Sequence, residues 1–563
     1  MRWMLSAFVL AMMSGCHAYT LDVDGTIAQR SAQPIDVQAP KDGSFLPPLK
    51  AVFGMPAAEG ALTQVEYQKE GVPADKDKSL GKTMLQRLTP SKDLLGYDVP
   101  DIQLLPHTAT VKDKEAQIKK QFPPLPAIPT LAQAEMGPED RPLTLSDLQQ
   151  LALRTNPLIR QALRDVDIAR GLALQAKLYP NPTIGYEGAT LGIGNSNGQH
   201  SPGQQGGFVE QTIVTMGKLT LAHEAALRDV QIAEQRLKQS ESDLQTQVRS
   251  RYFAVLSAKK NFESIKALAQ LTDELYNVLL SQLIVGEVAA YEPMQIRVLA
   301  MQARGALVLA HNRYSTAWKQ LAAALGTPAM PLTAVDGQID MAVPQYEHDK
   351  VLAQVLSNHT DVISAQLGVE KTRLLARLAE VQPFPDVTVH VAVQKDYTTP
   401  PFGTVANVVV GVPFPLWNRN QGNIRATDAQ WRRALDDNDR IRNELTSRVA
   451  EAFERYDNNR ALLKMYQTQI LPNQVQAFRA AVARHAAVGD KSVSYNDLVT
   501  SQQTLSTLIT SYLGALGDQW SAVVDISGLL QTKDLFQAQT LEEVTPIPDL
   551  REIFRPRLLH RHR

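Results

Sequence analysis

The chain has 563 residues, of which 44% are hydrophobic and 20% are charged, and its formal net charge is -1 at pH 7. This length allows several ordinary domains, and the apolar fraction is that of a globular protein. The balanced charge, with no basic stripe, argues against a nucleic-acid partner. No apolar run of about eighteen residues provides a spanning helix, but a membrane β-barrel stays open because its strands give a much weaker signal.

The N-terminus has the pattern of an export signal. Residues 1–15, MRWMLSAFVLAMMSG, carry one Arg, an apolar core and small residues at the end, which predicts a signal peptide. Cys16, the only cysteine of the chain, follows directly. The sequence MSGC is similar to the bacterial lipobox, so we predict that Cys16 is diacylated and anchors the mature protein to a membrane. Ordinary cleavage after Ala18 is the alternative.

The next segment, residues 16–140, is predicted to be a lipidated, proline-rich N-terminal arm. Prolines crowd in stretches such as FLPPLK and QFPPLPAIP, and apolar periodicity is poor. This composition favours an extended chain, with one short helix near TMLQRL. Nothing in these residues indicates a role for the arm.

After the arm the pattern becomes helical. Ser146 and Gln149 fit a capping box, and the helix that they begin is predicted to end at LYPNPT, where Pro180 and Pro182 cannot continue it. Two strands of about ten residues follow, joined by a long polar loop. A helix from about Gly217 to Val285 comes next, with apolar residues at steps of three, four and seven. Such a helix is about 100 Å long.

The same order of elements recurs about 204 residues further along. DVTVHVAVQ and TVANVVVGV predict a second strand pair, and a second long helix follows from about Gly422 to Val488. The turn VGEVAAYEPM matches VGDKSVSYNDL. We therefore predict two copies of a helix–hairpin–long helix–helix unit, at residues 141–335 and 345–530, followed by a C-terminal tail at 531–563.

The strand DVTVHVAV places valines at every second position and Thr388, His390 and Ala392 on the opposite face. This alternation is typical of a membrane-spanning barrel strand. The alternative is a small soluble sheet, which needs something to cover its valine face. Four strands cannot close a barrel, and open edges in lipid leave backbone groups unpaired. We therefore expect several copies to share one barrel, with their helices forming a hollow cylinder on one side of the membrane.

Prolines and a tryptophan mark the joins between strands and long helices. We expect the chain to leave the membrane at these joins, with Trp417 in the interfacial belt and the prolines redirecting the chain where strand pairing ends. The residues that we assign to the strand-to-helix junctions are Pro180, Pro182, Gly217, Lys218, Pro383, Pro385, Trp417, Arg419, Asn420 and Gly422.

The motifs LTLSDLQQLALRTNP, LYPNPTI, MGKLTLAHEAA, PFPLWNRNQGNIRATDAQ and SVSYNDLVTSQQTL occur in this order within residues 143–530. This segment resembles the TolC-like outer-membrane efflux channels. RNQGNI and the pair Gly217–Lys218 are most similar to the outer-membrane subunit of cobalt–zinc–cadmium efflux systems. The resemblance implies a mainly α fold with a membrane β-barrel, built as a homotrimer with twelve strands in the outer membrane and a tunnel of twelve helices in the periplasm. It also implies two partners, a periplasmic membrane-fusion adaptor protein and an inner-membrane proton-driven efflux pump.

In that family the helix–turn–helix tips form the gated mouth where the adaptor docks. The glycines here allow tight turns, Pro293 suits the first turn of a helix, and Ser494 with Asp497 fits a capping box. The acidic tip residues either favour cations at the mouth or only complement the N-terminal helix dipole. The residues assigned to the two tips are Gly286, Glu287, Tyr291, Glu292, Pro293, Gly489, Asp490, Ser494, Tyr495 and Asp497.

No motif for catalysis is present in the sequence. The eleven histidines are scattered, GIGNSNG lacks the context of a nucleotide fingerprint, and no GxSxG elbow occurs. We predict no enzyme activity, no cofactor and no metal site. The function expected from the sequence is a lipid-anchored exit duct in the outer membrane, passively conducting metal cations or small toxic compounds. A structural coiled-coil envelope lipoprotein and a duct for polypeptide secretion are the alternatives.

Overall fold

The computed structural model describes residues 102, 110–130, 132–192, 202–486, 495–536 and 541–542. All of them belong to the unit Pro100–Arg563. The predicted signal peptide, Cys16, the helix near TMLQRL and the tip residues Gly489, Asp490 and Ser494 lie outside the described residues. Within the described part, no helix combines the length and the apolar character needed to cross a bilayer.

The first repeat follows a short helix, α1, that lies in the arm. Two helices lead into a strand pair, and a helix of 68 residues then turns back into a helix of 34 residues. The bounds are α1, Val111–Gln121; α2, Leu145–Thr155; α3, Pro157–Lys177; β1, Thr183–Ala189; β2, Gln204–Ile213; α4, Lys218–Val285; and α5, Tyr291–Ala324.

The second repeat has the same order of elements, preceded by a two-residue strand that pairs with the C-terminal segment. The bounds are β3, Val343–Pro344; α6, His348–Asn358; α7, Thr360–Val381; β4, Val387–Asp396; β5, Thr404–Gly411; α8, Gln421–Met465; α9, Leu471–Ala486; α10, Tyr495–Leu530; and β6, Leu541–Glu542. The long helix that we predicted as continuous is interrupted between α8 and α9 by a π-helical turn, Tyr466–Ile470. Pro472 follows this turn and has no N–H for an α-helical bond, which gives the interruption its local cause.

The capping box predicted at Ser146 and Gln149 is wrong by two residues. Thr144 is the N-cap of α2, and its side-chain oxygen accepts a hydrogen bond from the backbone N–H of Asp147 at 3.2 Å. The Asp147 carboxylate accepts the backbone N–H of Thr144 at 3.1 Å. The predicted single helix is also split into α2 and α3 at Asn156, because Pro157 forces the residue before it out of the helical region.

The four longer strands form one antiparallel sheet in the order β1–β2–β4–β5. Its register aligns Ile184, Val209, Val391 and Val408 in one row across all four strands. These side chains are 76%, 47%, 39% and 64% exposed. No described element therefore covers the valine face, and the small soluble sheet that we kept as an alternative lacks the packing it requires.

The helices pack in the order α3, α4, α7, α8, so that the two repeats meet between α4 and α7. The main hydrophobic core lies further from the sheet along these helices, where α2, α5, α6 and α10 pack on the middle of α4 and on the C-terminal half of α8. Trp520 is its centre: the ring stacks on Phe253 with centroids 4.2 Å apart, and its indole N–H donates to the carbonyl of Ile339 at 2.8 Å. This core fixes the long helices and leaves the sheet at one end of them.

Candidate functional site

The first strand-to-helix junction is held by a lysine that the sequence analysis assigned to it. Lys218 is the first residue of α4, and its side chain is only 8% exposed. Its ammonium donates to the carbonyl of Phe384 at 2.5 Å and to Oδ1 of Asp386 at 2.9 Å. The same Asp386 oxygen accepts the backbone N–H of Thr215 at 3.0 Å. The junction of the first repeat is thus bonded to the loop that begins β4 in the second repeat.

The charge of Asp386 is stabilised in this position. Burial pushes the pKa of its carboxyl group upward, but the hydrogen bonds from Lys218 and Thr215 outweigh burial and leave the pKa lowered. An ionised carboxylate and an ammonium in a partly buried site each depend on the other for compensation. Asp386 was absent from our predicted junction residues; the signal for it was the PFPD motif, where the first repeat has PNPT.

Gly217 and Asn420 occupy equivalent positions in the two junctions. Both are the N-caps of their long helices, and both have left-handed backbones, with φ of 67° and 60°. Asparagine tolerates this region better than other side chains because it makes local hydrogen bonds. Asn420 also donates its side-chain amide to the carbonyl of Ala379 at 2.9 Å. In each repeat, a residue with a left-handed backbone conformation therefore redirects the chain from strand to helix.

The remaining predicted junction residues lie in the same region. Pro180 and Pro182 lie between α3 and β1, Pro383 and Pro385 lie between α7 and β4, and Arg419 and Gly422 flank the start of α8. Trp417 is 87% exposed. Its neighbours Val412, Phe414 and Leu416 are exposed as well, which makes the β5–α8 connection a continuous apolar surface segment.

The first predicted tip joins α4 to α5. Gly286 has φ of 88°, and its N–H donates to the carbonyl of Leu283 while the N–H of Glu287 donates to the carbonyl of Gln282. These two bonds form a Schellman motif. Glu287 and Tyr291 are exposed, Glu292 is half-buried, and Pro293 is the third residue of α5 and buried.

The second predicted tip is described only on its C-terminal side. α10 begins at Tyr495, and Asp497 is exposed in its first turn. Because Gly489, Asp490 and Ser494 lie outside the described residues, the capping box and the turn expected there stay predictions.

The face of the sheet opposite to the valines carries a charged group. The ring of His390 contacts the carboxylates of Glu187, 2.9 Å from Nε2, and Glu210, 3.3 Å from Nδ1. Phe208 stacks on the imidazole with centroids 4.8 Å apart. A Cβ at residue 185 would lie 2.6 Å from the Phe208 ring, so any side chain there would force this ring to shift. The polar face is thus assembled from three strands.

A groove of about 1090 Å³ lies between α3, α4, α7 and α8. Both acidic and basic side chains line it, among them Asp361, Asp437, Arg236 and Arg448. The four helices therefore enclose a concave surface that carries charged side chains of both signs. In the part of the chain that the structure describes, no three His, Cys, Asp or Glu side chains are grouped so that they could hold a metal ion.

Residues 148–327 and 351–527 match the family model described as outer membrane efflux protein. The cobalt-zinc-cadmium resistance protein CzcC of Cupriavidus metallidurans is 25% identical over 389 residues, which cover 69% of this chain and 90% of CzcC.

Two solved structures share the fold. The outer membrane protein VceC of Vibrio cholerae has a TM-score of 0.56 at 16% identity, covering 69% of this chain and 96% of VceC. The open state of the Neisseria gonorrhoeae MtrE outer membrane channel has a TM-score of 0.58 at 15% identity, covering 77% of this chain and 97% of MtrE.

Removing the charge of Asp386 should weaken the junction. For Asp386→Asn we expect a loss of about 1–3 kcal/mol in the free energy of unfolding, because Lys218 stays buried without its anionic partner. The wild-type stabilisation should be complete above about pH 4, where an unfolded Asp is ionised, and should decline as the pH falls through the lowered folded-state pKa.

Thermal denaturation in detergent between pH 3 and 7 measures both effects. Asp167→Asn, at an exposed ion pair with Arg164, is the matched control and should change stability by less than about 0.5 kcal/mol. An Asp386→Asn protein with the acid sensitivity of the wild type would contradict this assignment.

The Gly286 turn should not tolerate a side chain. Gly286→Ala places an L-residue in the left-handed region, which costs about 1–2 kcal/mol. Gly305→Ala is the matched control, since Gly305 lies within α5 with no atom within 4 Å of an added Cβ; there alanine should stabilise by about 0.5–1 kcal/mol. The free energy of unfolding, measured with denaturant, should fall in Gly286→Ala and rise in Gly305→Ala. Equal shifts in the two variants would refute the left-handed conformation of Gly286.

Proposed function

The chain belongs to the outer membrane efflux protein family, and we propose on that premise that three copies form one duct, with their sheets joined in a twelve-stranded barrel. The family match covers both repeats. The protein is accordingly an outer membrane efflux channel, the exit part of a tripartite export system. The single observation that carries the trimeric barrel is the exposed row of apolar side chains across a sheet whose outer strands, β1 and β5, each have one edge that no described strand pairs.

Lipid is the medium that fits this sheet. A face with exposed Ile184, Val391 and Val408 is unfavourable in water, since each buried apolar side chain gains about 1.5–3 kcal/mol on leaving it. The unpaired edges cannot remain open in lipid, where each lone backbone group costs several kcal/mol. Edge pairing between β1 and β5 of neighbouring copies satisfies both conditions, and it places the His390 face toward the lumen.

The helices continue the barrel as a tunnel in the same symmetry. Twelve helices from three copies would surround the concave groove, whose mixed charges suit a water-filled passage. The apolar β5–α8 connection around Trp417 would lie at the membrane interface on the periplasmic side. The two tips would form the gated mouth at the far end of the tunnel. A periplasmic membrane-fusion adaptor would dock there and connect the tunnel to an inner-membrane proton-driven pump.

The cargo that we propose is a metal cation or a small toxic compound. The relative CzcC is described as a cobalt-zinc-cadmium resistance protein, and its match covers most of both chains. A passive duct selects weakly, so the described residues need no metal site for this role. Secretion of a polypeptide would use the same duct, and a coiled-coil spacer would have to cover the valine face, which the described residues leave open.

We also propose that Cys16 is acylated and that the protein is held in the outer membrane both by this lipid and by its strands. The two attachments are independent. The acyl chains would anchor the arm to the membrane at Cys16, whereas the strands would hold the barrel in the bilayer.

Purified protein in planar bilayers should give discrete single-channel conductance. A Cys16→Ala variant, which has no acyl chains, is the control. If the strands form a closed barrel, this variant should still need detergent for solubility and should still conduct. A spacer lipoprotein would become soluble in the absence of detergent and would give no current. Chemical cross-linking in detergent should stop at a trimer, and a monomer that is stable without detergent would refute the shared barrel.

Cells that lack the protein should become sensitive to the compounds that the duct exports. We expect lower inhibitory concentrations for zinc, cobalt or cadmium after deletion, with restoration by the wild-type chain. Growth tests with these metals, copper and organic toxicants distinguish the cargoes. Unchanged sensitivity to every metal, with raised sensitivity to an organic compound, would reassign the substrate while leaving the duct in place.

A further inference from the structure

The described part of the arm lies against the first repeat's long hairpin. We define the strap as residues 110–130 and 132–136. It contacts Leu283 through α1, and its proline-rich stretch then contacts the tip-proximal part of α4 and the middle of α5. It reaches the main core at Glu135, whose N–H donates to the carbonyl of Leu332 at 2.8 Å. The strap therefore runs antiparallel to α4 from the tip toward the core.

The helix α1 covers the apolar end of the hairpin. Ile118 and Phe122 of the strap are buried together with Leu283 of α4. Half-buried side chains from both sides of the Gly286 turn pack on this cluster: Leu280, Ile284, Val288, Ala290 and Met294. Without α1 these side chains would form an exposed apolar patch beside the turn.

The proline-rich stretch presents carbonyl groups that need donors. Prolines 123, 124, 126 and 129 keep the chain extended and prevent it from forming a helix or a strand ladder. The hairpin supplies the donors from its side chains. The hydroxyl of Tyr276, a residue only 1% exposed, donates to the carbonyl of Pro123 at 3.2 Å, and the ring Nε2 of His311 lies 3.1 Å from the carbonyl of Ala132.

Arg304 is the strongest of these anchors. Its guanidinium, with a side chain 8% exposed, forms a two-bond ion pair with Asp273 across the hairpin at 2.8 and 2.9 Å. Two of its N–H groups, on Nε and Nη2, also donate to the carbonyl of Pro126 at 2.9 and 2.7 Å. One buried side chain therefore joins α4, α5 and the strap.

The second repeat does not carry these anchors. Alignment of Gly286 with Gly489 before the turn makes Asp273 correspond to Gln476. The second turn is one residue longer, so alignment of Tyr291 with Tyr495 after it makes Arg304 correspond to Leu508. A glutamine and a leucine cannot form the charged fork that holds a carbonyl. The site is therefore specific to the first hairpin and does not follow from the duplicated fold.

We propose that the groove between α4 and α5 is a binding site for an extended proline-rich segment, and that the chain's own strap occupies it as an intramolecular clamp. The clamp touches both helices, so it holds the hairpin together and shields its apolar end. A protein that approaches this tip meets α1 and not the bare hairpin. This inference does not depend on conduction.

Cysteine accessibility in the full chain tests the clamp. Leu283→Cys should react slowly with a maleimide, while Val285→Cys, at a position that is 70% exposed, should react rapidly. Labelling is read on the peptide that contains the new thiol, so Cys16 does not contribute. Equal rates at the two positions would show that the strap does not cover the hairpin.

Release of the strap should expose this site. The substitutions Ile118→Asp and Phe122→Asp, introduced into the Leu283→Cys variant, place two carboxylates in the apolar contact between α1 and the hairpin. The maleimide labelling rate at residue 283 should then rise at least about tenfold. Ala116→Asp, the same change on the exposed face of α1, should leave the rate unchanged. Protection that survives the double substitution would overturn the proposal.

A second test examines the polar anchor without altering the strap. Arg304→Lys keeps the charge but loses the fork that reaches Asp273 and Pro126 together, so amide hydrogen exchange in residues 276–300 should accelerate. Arg313→Lys, at an exposed position of α5, is its control. If exchange in this region stays at the wild-type rate with Arg304→Lys, the anchor has no clamping role.

Discussion

An apolar sheet face that no described element covers is the constraint on which the rest of the structure depends. The four strands align aliphatic side chains on one side and polar ones on the other, and the helices are already occupied by packing on one another. Water is a poor medium for such a face, and lipid is a poor medium for its unpaired edges. Several copies that join their edges in a bilayer, as we propose, would remove both penalties.

In each copy of the duplicated unit, the chain passes directly from a β-strand into a long α-helix. In the proposed barrel a strand ends at the membrane surface and a helix of about 100 Å begins there. In both repeats a left-handed residue, Gly217 or Asn420, makes the change of direction. The repeats then differ in their side chains: Lys218 of the first is bonded to Asp386, in the connection between α7 and β4 of the second, so the first junction is tied to the second repeat.

The strap gives the proline-rich arm a physical role in this architecture. Prolines leave carbonyl groups without helical or sheet partners, and the first hairpin provides side-chain donors in their place. The second repeat has Gln476 and Leu508 at the positions of Asp273 and Arg304, and these two residues cannot form the ion pair that anchors the strap. The two halves therefore share the helical packing, whereas the proposed strap site belongs to the first hairpin.

The sequence by itself determined the order of elements, the repeat and the alternation of the strands, because these depend on periodicity and on proline and glycine within a few residues. It misplaced the α2 cap at Ser146 and missed the π turn at Tyr466, where the choice among nearby signals depends on atomic positions. Only the tertiary structure decided that Asp386 meets Lys218 and that Arg304 meets Pro126, since these partners lie 168 and 178 residues apart. Contacts at that separation are set by how the helices pack, and no local pattern records them.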